Sequence, residues 1–410
     1  MVSLVMLAII AGCAVALYLK GTFIQGLTLV FNALIAGFVA FGFYEMVGGL
    51  LVKYAAGIAP WAQMICFLLL FVLVLAVLQT VIMQLGKEKT DLGQWPERIG
   101  RIASGILLGY LVTGYLLTAL ALAPLPNNLP YARFAERSPD PSKPNKPMLS
   151  PDGFVTGLFG TISKGSFAAI GSPKSFAVIH ADFLNQAYLN RHPVAQEVPL
   201  MTSSEALNMP TKAGVWEAPA SLRDAEGQTL TARSGETLML VRVGIMKKAL
   251  KDAGKFTFSQ LRLICVAKGS GAAALAGQGQ AVYPIGYIGP GGRLEKKSLT
   301  DLITIEASQV PDRTLEIDFA FYVPTGLTPS LIGFKSNNLE KVSAVVSGED
   351  IPAPVFFGGG SPSSAGQAQP ETRRERSRGD ARQSSSREER SGTGLSPVGD
   401  ALTGNALQEN

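Results

Sequence analysis

The chain has 410 residues, 47% of them hydrophobic and only 16% charged, with a formal net charge of +5. Length favours two or three domains, and ordinary globular chains carry about 25% charged residues. Only ten of the 36 basic and 31 acidic residues fall in residues 1–130; this uneven distribution excludes a wholly soluble enzyme and a wholly disordered chain, and the small net charge without a dense basic stripe argues against nucleic-acid binding.

Four apolar stretches cover residues 2–19, 22–44, 60–85 and 102–122. Each reaches the roughly 18–25 residues that a helix needs to cross a bilayer core. They lack the alternation of barrel strands, and only helices or closed barrels satisfy the backbone in lipid, so four transmembrane helices are predicted. Ile10-Ala11-Gly12-Cys13 has the form of a lipoprotein cleavage box. The apolar run continues past it to Leu19, however, and no positive charge precedes it, so a small-residue patch on a packed helix is the preferred reading.

Within the spans, small residues recur four apart, the spacing that lets helix backbones approach: Ala33 with Gly37, Ala36 with Ala40, and Gly105 with Gly109. Gly100 and Gly114 extend this pattern. Gln25, Asn32, Gln63, Gln79 and Thr113 place amides and a hydroxyl inside the membrane. Such groups can line a polar path, but hydrogen bonding between helices is their commoner use. Glu45 reads as the exit of the second span, leaving no ionisable side chain well inside one. That argues against a pump or an ion-coupled transporter.

Lys20, Lys87, Lys89, Arg98 and Arg101 flank loops one and three, against Lys53, Arg133, Arg137 and Lys143 on the other side. The bias, five against four, predicts loops one and three inside the cytoplasm and everything after the fourth span outside.

These features carry a resemblance. A short first span, the Lys20-Gly21 hinge, a small-residue-rich second span and a third span closing on a charged loop lead into Pro96-Glu97-Arg98-Ile99-Gly100-Arg101-Ile102 and then Gly105, Gly109 and Gly114. Residues 1–125 in this way resemble the colicin V production protein family of bacterial inner-membrane proteins. The resemblance implies a non-enzymatic four-span module connected with toxin (colicin) production or export and envelope maintenance. Its implied partners are membrane lipids and membrane or envelope proteins, including a second copy of itself, and no nucleic acid. An oligomeric channel or export-accessory component is the alternative it leaves open. Some relatives fuse the module to an extracytoplasmic serine protease, in keeping with a C-terminal region outside.

Five prolines between Pro139 and Pro151 mark an extended, solvated linker. After it, Phe154, Leu158, Phe159 and Ile162 recur at helical spacing behind Pro151-Asp152, and a second short helix is predicted over residues 181–190 before His192-Pro193. Both helices are expected on the membrane surface or against the domain that follows. His180 and His192 are the only histidines; with Asp182 and Glu197 they are expected as solvated side chains rather than metal ligands.

From about Thr229 the period becomes two. Met239, Val241, Val243 and Ile245 alternate with Leu240, Arg242 and Gly244, and Leu315, Ile317, Phe319, Phe321 and Val323 with Glu316, Asp318, Ala320 and Tyr322. Such strands bury one face and wet the other. Further strands fit residues 256–258, 261–267, 281–287, 302–306, 331–334 and 342–346, with Gly289-Pro290-Gly291-Gly292 as a turn. Many short strands without long helices predict a β-sandwich. Phe321-Tyr322-Val323-Pro324 followed by Leu331-Ile332-Gly333-Phe334-Lys335 resembles immunoglobulin-like extracytoplasmic domains.

Gly269-Ser270-Gly271-Ala272-Ala273-Ala274 mimics a dinucleotide fingerprint, but Gly277 and Gly279 interrupt any helix after it. Ser270 lacks a Gly-Asp-Ser-Gly context and a nearby histidine, so no catalytic residue is assigned. Cys13, Cys66 and Cys265 form no metal spacing or disulfide framework, and no metal or cofactor is expected. From Gly358 onward seven arginines face seven acidic residues with few large apolar side chains, the composition of a disordered tail.

The expected architecture is therefore a four-helix transmembrane bundle (1–125), a proline-rich linker (126–152), short helices and loops (153–228), an all-β, immunoglobulin-like sandwich (229–348) and a disordered tail (349–410).

Overall fold

The computed structural model describes residues 2–85, 93–164, 175–269, 277–310 and 312–357. Ser270, the loop lysines Lys87 and Lys89, and the tail from residue 358 lie outside the described residues.

Among the described residues, four helices are long and apolar enough to cross a membrane: α1 (Val2–Lys20), α2 (Phe23–Tyr54), α3 (Ala62–Leu85) and α4 (Gln94–Leu122). Thr22 and Gln25 form a capping box at the start of α2, each side chain meeting the other's backbone N–H. A short 3-10 turn, Ala56–Trp61, joins α2 to α3.

Glycine sets how closely these helices pack. A Cβ on Gly105 would lie 2.6 Å from the Ala14 Cα, and one on Gly109 2.6 Å from the Ile10 Cα, so α1 and α4 touch backbone to backbone there. Such contact replaces the hydrophobic drive that lipid does not supply. Ala33, Ala36 and Ala40 are fully buried along α2.

One expectation is corrected in α2. The helix does not stop at Tyr44; it continues through Glu45 to Tyr54. The sequence after Glu45 is apolar again, and the carboxylate finds a partner from a distant part of the chain, so nothing forces an end at that point.

Beyond the bundle come α5 (Pro151–Ile162), α6 (Phe176–Ile179) and α7 (Phe183–Asn190). Phe159 of α5 stacks on Phe41 of α2 at 5.0 Å, and Phe176 and Phe183 join the same aromatic core. The short helices are therefore built onto the bundle.

The strands are β1 (Leu207–Asn208), β2 (Val215–Glu217), β3 (Glu236–Met246), β4 (Lys255–Thr257), β5 (Leu261–Ala267), β6 (Gln280–Val282), β7 (Pro284–Ile288), β8 (Leu294–Lys296), β9 (Leu302–Thr304), β10 (Thr314–Pro324), β11 (Leu327–Phe334), β12 (Asn338–Lys341) and β13 (Val345–Val346). Among the described residues they form a sheet ordered β13-β2-β3-β10-β7-β8 with β1 also on β3, a sheet ordered β12-β11-β5-β6, and a β4-β9 pair. One core joins the two larger sheets: Val241, Val243, Ile317 and Phe319 from the first, Leu263, Cys265, Ile332 and Phe334 from the second. The strand-rich region starts before Thr229, because β1 and β2 both pair with β3. The predicted strand over 281–287 divides at Tyr283 into β6 and β7, which join different sheets. The Gly289–Gly292 turn links β7 to β8, with Gly291 and Gly292 at positive φ, where glycine carries no Cβ penalty.

The wet faces expected on β3 and β10 are also corrected, since both strands are buried on both sides along their centres. Trp216, Leu222, Leu240, Leu294 and Ala320 form a second apolar cluster on the outer face. Arg242 and Asp318, directly opposite each other in the register, make a two-pronged ion pair there (2.7 and 2.9 Å). The backbone of residues 353–355 closes it: Ala353 O accepts from Arg242, and Val355 N donates to Asp318. Arg242 and Asp318 thus sit on this face paired and buried, while Glu316, 3.8 Å from Arg242, stays partly exposed.

Lys335, just after β11, is 2% exposed and donates to the carbonyls of Asp252 and Lys255. Burial pulls its ammonium down to about 7.

Two predictions follow from these buried charges. Asp318→Asn removes the two-pronged partner of the Arg242 guanidinium, leaving it only the partly exposed Glu316 at 3.8 Å, and is expected to cost about 3 kcal/mol, while Arg242→Met with Asp318→Leu costs clearly less; chemical denaturation of the detergent-solubilised protein checks the ranking. For Lys335 the unfolded chain binds the proton below about pH 10.5 and the folded chain only near 7. Its contribution thus falls as pH drops from 10.5 to 7 and is flat below. Lys335→Met should raise the melting temperature at pH 7 and reduce the gain seen on going to pH 9.

Candidate functional site

The side chains with the most chemistry gather where one end of the bundle meets α6, α7 and β5. Glu45 on α2 is half-buried, and its Oε1 accepts from His180 Nε2 at 2.9 Å and from Tyr44 Oη at 3.1 Å. His180 follows α6, is 6% exposed, and lies between the rings of Phe176 and Phe183 (4.8 and 5.4 Å). Its Nδ1 meets Gln186 Oε1 of α7 at 2.8 Å. Both ring nitrogens are thus held by oxygen atoms of two different helices.

Arg262 of β5 approaches from the other side. It is 5% exposed, and Nη1 donates to Ile179 O at 2.8 Å. Gly333 on β11 makes its room, since a Cβ there would lie 2.8 Å from Arg262 Nε. Burial lowers the pKa of this guanidinium, and Tyr283, Glu45, Tyr44 and Asp182 surround it and offset part of that.

A second polar chain runs beside the first. Arg133 donates from Nε to Asn185 Oδ1 (2.5 Å) and from Nη1 to Tyr131 Oη (3.1 Å), and Tyr131 Oη donates to Asp152. Asn185 also donates to Asp182, whose carboxyl burial pushes above the usual range. Arg191 lies 4.0 Å over the Tyr188 ring and donates to the carbonyl of Leu120, in the last turn of α4, and to that of Leu129 in the chain that follows. Burial pushes the Tyr188 hydroxyl up to about 12. His192 is 8% exposed, with its pKa lowered by burial and no partner for Nε2 among the described residues.

The expectation of two solvated histidines is therefore wrong. Both are buried because the helices that carry them pack on the bundle, and His180 meets its anion 135 positions away in sequence.

Of the intramembrane polar residues, Asn32 donates to Gln79 at 3.4 Å, linking α2 to α3. Gln63 donates to Ser336 O at 3.4 Å, linking α3 to the chain beyond β11. Thr113 returns to its own helix at Gly109 O, and Gln25 belongs to the cap of α2. The small residues are spread over several contacts: Gly37 lies under the Tyr115 ring, Gly100 under Phe23, and Gly114 against Pro151 and Val155 of α5.

Glu45, His180, Arg262 and Arg133 were not singled out as a site from the sequence. Glu45 alone carried a signal, as an acid within an otherwise apolar run. A cleft of about 20 Å³, room for roughly one water, opens beside Glu45, Gln63, Gln186 and Arg191. The described residues contain no grouping of three His, Cys, Asp or Glu side chains fit to hold a metal. Cys265 sits in the core of the strand-rich region, its thiol pushed up to about 12 by burial. What this arrangement does is neutralise charge at a helix-to-sheet contact.

The family model described as Colicin V production protein matches residues 2–138, which span all four long helices and reach past Arg133. Neither the comparison with curated proteins nor that with solved structures returned a match. Four helices of this length and apolarity, within a segment that matches this family, make the chain a multi-pass membrane protein.

The Glu45–His180 pair has a direct test. His180→Phe keeps the ring packing but leaves the carboxylate with the Tyr44 hydroxyl alone, at an expected cost of about 1–3 kcal/mol. Glu45→Gln combined with His180→Gln should recover part of it. Thermal unfolding in detergent measures both, and a single variant as stable as the parent would show the pair to be idle.

Proposed function

We propose that this chain is a non-enzymatic bacterial inner-membrane protein of the colicin V production type, acting in colicin production or export and in envelope maintenance. Its strand-rich region stands outside the cytoplasm and binds an envelope partner. The observation that carries this reading is the family match over the four-span segment, joined to a strand-rich region fastened at one end of the bundle. That end is where α2 stops, α3 starts and α4 stops, marked by Glu45–His180, Gln63–Ser336 and Arg191–Leu120. The Lys and Arg balance of the loops, five against four, supports a cytoplasmic position for the opposite end. Two principal sheets sharing one core support reading the strand-rich region as a sandwich of immunoglobulin-like type.

An oligomeric channel or export-accessory role is the second reading. It draws on α3, where Leu69, Val72, Leu73 and Val77 are exposed and would be covered by lipid or by another copy. Flux through liposomes holding the purified protein, above that of empty vesicles, would favour it.

Orientation is the part most open to direct test. Alkaline phosphatase fused after Tyr131 should be active, and a fluorescent reporter that matures only in the cytoplasm should be dark at the same position. The reverse pattern would place the strand-rich region in the cytoplasm and overturn the proposal.

A further inference from the structure

Beside α5 lies an open groove of about 600 Å³ that shares Arg133, Asp182 and the Glu45-paired His180 with the polar junction and extends from it to Lys146 and Lys164. We infer that it binds the phosphate-bearing headgroup of an anionic membrane lipid, with the acyl chains lying along α5 and α4. The inference deepens the membrane reading above, because it depends on α4 spanning the bilayer, though not on which side is outside.

Three cations line the groove: Arg133, Lys146 and Lys164. None makes an ion pair among the described residues. Arg133 is only 6% exposed and is held in place by Asn185 and Tyr131, which are neutral partners. Asp182 is the one carboxylate on the lining, and Asn185 already donates to it. The groove therefore carries a surplus of positive charge with a fixed, largely desolvated guanidinium at its wall, and it is complementary to a phosphate.

Its depth selects the source of that phosphate. Tyr110 lines the groove and donates to Leu149 O at 2.9 Å. It lies on α4 twelve residues before the helix ends at Leu122, about 18 Å along the axis. Pro151, at the start of α5, packs against Gly114 of α4. The segment from Met148 into α5 thus lies against the spanning part of α4 rather than above it. Met148 (45%), Leu149 (63%) and Phe154 (44%) are exposed there. Large apolar side chains exposed at that depth suit acyl chains, and cations beside them are costly in hydrocarbon unless an anion comes with them. An amphiphile with an anionic head meets both demands, whereas a free anion answers the cations and leaves the apolar side chains uncovered.

Full-length protein in detergent, titrated with phosphatidylglycerol, phosphatidylcholine or inorganic phosphate and followed by native mass spectrometry, tests this. Phosphatidylglycerol should be retained about tenfold or more over phosphatidylcholine. Inorganic phosphate should not displace it at matched concentration. Lys146 and Lys164 are exposed, so Lys146→Gln with Lys164→Gln should fold and lower phosphatidylglycerol affinity about fivefold per lysine. Lys143→Gln, off the groove, should leave it unchanged. Equal retention of the two lipids, an unaffected double variant, an equal loss in Lys143→Gln, or displacement by phosphate would each overturn the inference. Retention is read in detergent, so a reversed reporter pattern would overturn the outward placement and leave this site standing.

Discussion

Glu45 sits nine residues before the end of α2, inside a helix that is apolar on both sides of it. A carboxylate in that position must be paired, hydrogen-bonded or led to water, since burying it alone costs several kcal/mol. The bundle supplies only the Tyr44 hydroxyl. The cation-capable partner comes from His180, whose loop is carried by α6 and α7, and Arg262 approaches from β5. One charge in a transmembrane helix therefore draws the short helices and the strand-rich region onto the same end of the bundle. The aromatic core around Phe41, Phe159, Phe176 and Phe183 fills the space that this contact encloses.

Two kinds of packing meet at this junction. Below it, α1 and α4 approach through Gly105 and Gly109, where lipid gives apolar side chains no reason to associate and close backbone contact takes over. Beyond it, the strand-rich region is held by a conventional hydrophobic core between sheets. Between them, apolar contacts of Val52 and Ala62 with Leu200 and Met201, and of Val178 with Ile264, Val266 and Leu331, are joined by polar ones through Gln63, Arg191, Arg262 and Asn190. A polar contact needs defined partners, so it fixes an orientation that apolar surfaces alone would leave loose.

Much of the fold was legible from local pattern. Apolar runs of membrane length gave the four helices, Pro151 and the spacing behind it gave α5, and residues 261–267 were read as the strand they form. The Gly289–Gly292 turn was equally plain. What failed was whatever depends on a partner far away in sequence. Glu45 looked like a stop because a charge usually ends a span, and nothing near it announces His180. The histidines looked solvated because α6 and α7 are too short to show what they pack on. The polar residues of β3 and β10 looked wet because Trp216 and residues 353–355, which cover them, belong to distant segments. The candidate site is closed by such long-range pairs, Glu45 with His180 and Arg133 with Asn185, and for this reason the small-residue pattern of the spans pointed to helix packing and not to the junction.

The central claim is that the bundle and the strand-rich region meet through this junction in the membrane-embedded protein. Gln63 on α3 and Ser336 beyond β11 touch across it. Cysteines placed at these two positions, in a chain whose Cys13, Cys66 and Cys265 are replaced by alanine, can be probed with a short thiol-directed cross-linker in native membranes. Efficient intramolecular cross-linking, lost when Ser336→Cys is moved to the exposed Glu349 position, is the predicted result. Equal or absent cross-linking at both positions would contradict the account.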